Sequence, residues 1–122
     1  MKDSMTFASF SIDDKEVAKN FYSEKLGLSA DIHEHHDALM VNTAGNTRFL
    51  AYVKEDHKPA DHTVLVFSVT NIEDVVADLS QKGVSFYKVE GANENGISEK
   101  GPTKSAWFRD PAGNWMALHE GS

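Results

Sequence analysis

Hydrophobic and polar positions alternate with period two over residues 5–12, Met-Thr-Phe-Ala-Ser-Phe-Ser-Ile, which predicts a strand. On it Phe7, Ser9 and Ser11 share one face, and Ala8, Phe10 and Ile12 the other. The period then lengthens. Asp13-Asp14-Lys15-Glu16 reads as a helix start, with Asp13 as N-cap and Glu16 at the reciprocal capping position. Val17, Ala18, Phe21 and Tyr22 recur at helical spacing, and Gly27 closes the helix. Tyr22 is expected to bury its ring and keep its hydroxyl at the surface. Three shorter strands are predicted near 28–35, 38–43 and 47–53, joined by His36-Asp37 and the turn Ala44-Gly45-Asn46. Residues 54–62 are charged and aperiodic, an exposed connector.

The first pattern then starts again. Thr63 to Val69 is a β-branched strand, and Thr70-Asn71-Ile72-Glu73 reads as a second capping box. Ile72, Val75, Val76 and Leu79 form the buried stripe of a helix that Gly83 ends. Val84 to Val89 is expected to be a strand, and residues 90–103, rich in glycine, a long loop and candidate lid. Two apolar runs flank Asp110-Pro111-Ala112-Gly113-Asn114, where Pro presets φ and Gly supplies a positive φ, so a closing hairpin is predicted. Ile12 aligns with Val69, Glu16 with Glu73 and Lys25-Leu26-Gly27 with Lys82-Gly83, a period of about 57 residues. One domain, 1–122, is expected, built from module one at about 1–56 and module two at about 62–122. The fold class predicted is α+β: two βαβββ modules forming a cupped mixed β-sheet with helices on its outer face.

Composition narrows the chemistry. There are no cysteines, which removes disulfides, thiolate metal sites and a cysteine nucleophile. A net charge of −7 argues against nucleic acid as a partner, since binding there rests on phosphate neutralisation. No apolar leader or membrane-length run is seen at the start or along the chain, so a cytoplasmic protein without a membrane partner is expected.

Three segments carry a family likeness: Ile12 to Tyr22 with Leu26-Gly27-Leu28, Phe67 to Asn71 with the helix after it, and Ala106 to Asn114. On these the chain resembles the vicinal oxygen chelate superfamily, which contains glyoxalase I, bleomycin resistance proteins and extradiol dioxygenases. The resemblance implies a ligand site inside the cup, and a homodimer. It also implies metal ligands on the first strand of each module and after the last turn. Those positions fall here on Phe7, Val64 and Ala117, all apolar and unable to bind a divalent ion. His62, His119 and Glu120 lie near them, and Glu120 is expected to point away to solvent.

The leading expectation is therefore a metal-independent protein, without cofactor, that encloses a small hydrophobic or aromatic molecule such as an antibiotic. Its expected ligand-binding residues are Phe7, Ser9, Arg48, Tyr52, Val64, Val66, Trp107, Trp115, Ala117 and His119. Arg48, Tyr52, Trp107 and Arg109 sit on strands and could reach the pocket mouth, where an arginine would clamp an anionic group or Tyr and Trp would stack on a planar or cationic ligand. The other reading of these four is surface arginines and amphipathic aromatics at a dimer interface. The alternative is a lyase, isomerase or dioxygenase with a metal on non-standard ligands. His33 and His35 would share a face if residues 28–35 are one strand, with His62 or Asp37 completing the set. A third reading is a filled cup used only for protein contacts.

Overall fold

Of the two adjacent aspartates after the first strand, the second caps the helix. In the computed structural model, which describes residues 1–121, strand β1 (Ala8–Ile12) ends on a fully buried Ile12. Asp13 is spent on the bend that follows, and helix α1 (Lys15–Asn20) begins one residue later than the spacing predicts. The Asp14 carboxylate accepts from the Glu16 and Val17 N–H groups at 3.0 and 3.1 Å. Glu16 thus sits too early to close a reciprocal box. The helix continues as a wider π-turn over Phe21–Lys25, where Leu26 N–H reaches Phe21 O, before Gly27 turns the chain out.

Strands β2 (Ser29–His33), β3 (Ala38–Asn42) and β4 (Arg48–Val53) complete the first unit, Met1–Pro59. The sheet order is β1-β4-β3-β2, with β1 parallel to β4 and the other pairs antiparallel. Its core lies on the helix side, where the Phe10 and Phe49 rings stack at 5.5 Å and Tyr22 meets Phe49 edge-on at 5.4 Å. Tyr22 is buried completely, hydroxyl included, which corrects the expectation of a surface hydroxyl. Burial is tolerated because no buried side-chain nitrogen or oxygen among the described residues lacks a hydrogen-bond partner.

The second unit starts at Ala60 and repeats the plan with β5 (Thr63–Ser68), helix α2 (Ile72–Gln81), β6 (Ser98–Lys100), β7 (Thr103–Arg109) and β8 (Trp115–Glu120). Its order, β5-β8-β7-β6, again pairs the first and last strands in parallel. The α+β class of two βαβββ modules is thus the observed one. Ile72, Val76 and Leu79 are buried beside Ala106, Phe108, Met116 and Leu118. At the end of α2 the Val84 N–H bonds to Leu79 O and the Gly83 N–H to Ser80 O. This six-residue closure requires a left-handed residue, supplied by Gly83 at φ 93°.

Two expectations about this unit are corrected. Val84–Val89 is not a ladder strand: it makes a single bridge, Tyr87 to Trp107. The 90–103 loop contains β6, which pairs with Thr103–Ser105 on the same edge of β7. The edge strand is therefore split into two pieces, with residues 88–97 looping out between them. Asn93 Oδ1 organises that excursion by accepting from the Asn95 and Ile97 N–H groups at 2.9 and 3.0 Å.

The expected capping box at Thr70 is absent as well. Asn71 stands at the N-cap position without a side-chain bond, and the Ile72 N–H instead donates to Glu120 Oε1 at 2.8 Å. Glu120 does point away from the helix-free face, yet it meets α2 rather than solvent. Glu73 at the second helical position pairs with Lys104 at 2.5 Å, whose hydrogen bond draws the Glu73 carboxyl below its ordinary range. Glu120→Ala is expected to cost about 1 kcal/mol, the usual worth of a lost cap. Urea unfolding monitored by circular dichroism would measure it, and an unchanged midpoint would contradict this role.

Candidate functional site

In each unit the helix covers one face of its sheet, and residues in register across neighbouring strands share a face. On the helix-free face of the first sheet, Ser11, Tyr52, Ala38 and His33 form one row across four strands. Ser9, Leu50, Met40 and Asp31 form the next. Arg48 and Tyr52 share this face, as their spacing predicts. Phe7 precedes β1 and is 49% exposed, and the Arg48 guanidinium lies 5.2 Å from its ring centre. The structure thus brings Phe7 and Arg48 together and places Ser9, exposed and small, one row further in.

A residue that sequence reasoning missed also reaches this face. His57, in the segment expected to be an exposed connector, is half-buried, and its Nδ1 lies 2.6 Å from Ser11 Oγ. The charge of this segment and its single proline, Pro59, carry no sign of the contact. It arises because the connector folds back on itself, with the His57 N–H bonded to Lys54 O.

The helix-free face of the second sheet carries five of the other six expected positions. Val66, Ala117 and Trp107 lie in one row, and Tyr87 extends it through its bridge to Trp107. Val66 is 57% exposed and Tyr87 41% exposed, whereas Ala117 is buried between them. Ser68, His119 and Ser105 form the adjoining row, with Ser105 Oγ and His119 Nδ1 hydrogen-bonded at 3.0 Å. Trp115 faces Arg109 in register, and the Arg109 guanidinium stands 4.2 Å from the Trp115 ring centre and 5.3 Å from that of Tyr87. Tyr87 and Trp115 meet edge-to-face at 4.6 Å.

Val64, the sixth, departs from its expected parity. The ladder passes from Thr63–Trp115 directly to Leu65–Met116, so Val64 is the extra residue of a bulge. Strict alternation counted back from Val69 therefore fails at this position. Tyr87 is the residue missing from the expected set. Its signal is present in the alternation of Val84, Phe86 and Lys88 against Ser85, Tyr87 and Val89, since Val84 is buried and Phe86 packs on Phe108.

The turn between β7 and β8 holds these aromatic groups in place. Asp110 N–H donates to Asn114 O, and Asp110 Oδ1 accepts from the Ala112 and Asn114 N–H groups at 3.0 and 2.8 Å. Asn114 Nδ2 adds a bond to Asp110 Oδ2 at 3.1 Å, and Gly113 takes φ 87°.

The histidine cluster has a different geometry from the one the alternative enzyme needs. Strand β2 stops at His33 and residues 34–37 form a turn, so His35 does not share a strand face with His33. The His33 and His35 ring centres are 6.2 Å apart, and His35 N–H donates to His33 Nδ1. Among the described residues no group of three or more His, Cys, Asp or Glu side chains is placed to hold a metal ion.

Two units of one strand order, each with a helix on one sheet face and aromatic groups on the other, define an internally duplicated βαβββ protein. The chain belongs to the Glyoxalase/Bleomycin resistance protein/Dioxygenase superfamily, whose family model matches residues 6–118. No curated protein matches the sequence. Similar solved structures include TnmS3, an antibiotic binding protein from Streptomyces sp. CB03234, at 23% identity and TM-score 0.74, covering 98% of each chain. The fosfomycin resistance protein FosX from Listeria monocytogenes aligns at 12% identity and TM-score 0.76, over 100% of this chain and 96% of its own. A superfamily member from Sphaerobacter thermophilus aligns at 23% identity and TM-score 0.70, over 97% of this chain and 98% of its own. At these identities the likeness is one of fold. No helix among the described residues is long and apolar enough to cross a membrane.

Proposed function

We propose that the chain binds a small hydrophobic or aromatic molecule without a metal ion, an antibiotic being one such ligand. The observation that carries this reading is the aromatic and apolar surface on the helix-free face of the second sheet. There Val66 and Tyr87 remain exposed beside Trp107 and Trp115, whereas Ala106, Phe108, Met116 and Leu118 are buried on the core side of the sheet. Phe7, Val64 and Ala117, at the positions where relatives with a metal would hold it, offer no donor atoms. Phe7, Ser9, Arg48 and Tyr52 make a second surface on the first sheet, suited to the same chemistry. The antibiotic-binding relative supports the ligand class by analogy of fold. A homodimer and a cytoplasmic location belong to the same proposal.

The test uses tag-free protein purified without chelator. Elemental mass spectrometry is expected to find only trace metal, and a thermal-shift screen of aromatic compounds is expected to give saturable stabilisation. Trp115→Ala should then weaken the best ligand by about tenfold, as truncating an aromatic anchor does. Near-stoichiometric metal would overturn metal independence, and a screen without saturable binding would overturn the ligand class.

A further inference from the structure

The two arginines of this chain behave unlike four of its ten lysines. Lys15, Lys54, Lys82 and Lys104 each sit within ion-pair distance of a carboxylate. Arg48 and Arg109 instead stand over aromatic rings, and neither makes an ion pair among the described residues. The acid nearest in sequence to Arg109 is Asp110, but its carboxylate is buried and committed to the turn.

We infer that the helix-free face of the second sheet takes a planar aromatic anion, its carboxylate held by Arg109 and its ring set against the neighbouring aromatic and apolar surface. The inference rests on the binding function proposed above and specifies the ligand's charge. Stacking on Trp115 and Tyr87 restrains the plane of the guanidinium while its N–H donors, which lie in that plane, stay available. A carboxylate accepts two of these donors side by side, a match that an amide of the same shape cannot make. Val66 and Ala117 leave an exposed apolar strip and a small side chain in the adjoining row, where a ring can lie. A cationic ligand is disfavoured, because the aromatic faces that would receive it already carry a guanidinium.

Isothermal titration of the full chain with 2-naphthoate and with 2-naphthamide, isosteric and neutral, tests this. The carboxylate is expected to bind at least about tenfold more tightly, the usual worth of a charge-assisted pair, with the ratio shrinking in 0.5 M salt, a concentration of roughly 4–5 Å Debye length. Arg109→Gln should bring the ratio to near unity, and Arg109→Lys, which keeps charge but not the fork, should leave an intermediate ratio. A role for Arg109 in packing alone would weaken both probes and preserve the ratio. Equal binding of the two probes to the native chain, or a preference that survives Arg109→Gln, would overturn the inference while leaving aromatic binding intact. Saturable binding of neither probe would overturn both this inference and the binding of naphthalene-sized aromatics.

Discussion

Phe108→Ala is expected to lower the stability of the second unit by about 3–5 kcal/mol, the largest single effect predicted for this chain. Phe108 is completely buried, and its ring lies 6.5 Å from that of Phe67 and 5.6 Å from that of Phe86. It therefore joins β5, β7 and the segment after α2 at one point. Removing the ring loses its transfer free energy, and the cavity adds to the loss because the sheet cannot close over it. A loss of this size is comparable to the whole stability of many small domains. Urea unfolding should show a much lower midpoint, whereas Phe108→Leu, which keeps most of the volume, should cost far less. Equal losses for the two variants would contradict the packing account.

Asp110→Ala is expected to cost about 3 kcal/mol. Asp110 is 4% exposed, and its carboxylate accepts hydrogen bonds from Ala112 N–H, Asn114 N–H and Asn114 Nδ2. Alanine would strand those donors in a turn whose Asn114 is only 2% exposed. Bonds to a charged group are worth more than neutral ones, and donors left without acceptors in a buried place are costly. Asp110→Asn retains one acceptor oxygen and should lose less. Amide hydrogen exchange offers a local readout: the Asn114 N–H should lose protection in the alanine variant before the centre of β8 does. Unchanged protection would show that the turn is held by its backbone bonds alone.

Much of this architecture is legible in the sequence because its signals are local. Gly27 and Gly83 mark both helix ends, and the stripe Ile72, Val76 and Leu79 names the buried side of α2. The Asp110–Asn114 turn declares its hairpin through Pro111 and Gly113. What escapes depends on partners far along the chain. The cap on Ile72 comes from Glu120, so no window around Thr70 contains it. His57 contacts Ser11 across the first unit, again out of reach of local composition. The bulge at Val64 is a mismatch between two strands, and neither strand shows it by itself. For the site, alternation places Arg48, Tyr52, Trp107 and Trp115 on the helix-free faces. Tyr87 escapes because its segment pairs through one bridge alone.

The parallel pairing of β1 with β4 has a consequence for synthesis. Ala8 registers with Phe49 and Ile12 with Val53, so β1 must wait for β4 before its ladder exists. Strands β2, β3 and β4, by contrast, are joined by short turns and close quickly once they emerge. On the ribosome the β1 segment therefore idles, without the partner strand that flanks Phe10 and Ile12, until residue 53 has cleared the exit tunnel. The same delay recurs for β5, whose partner β8 is the final strand of the second unit. Assembly of each unit is thus gated by the arrival of its last strand, which makes the interval before that arrival the time at which chaperones have the most surface to hold.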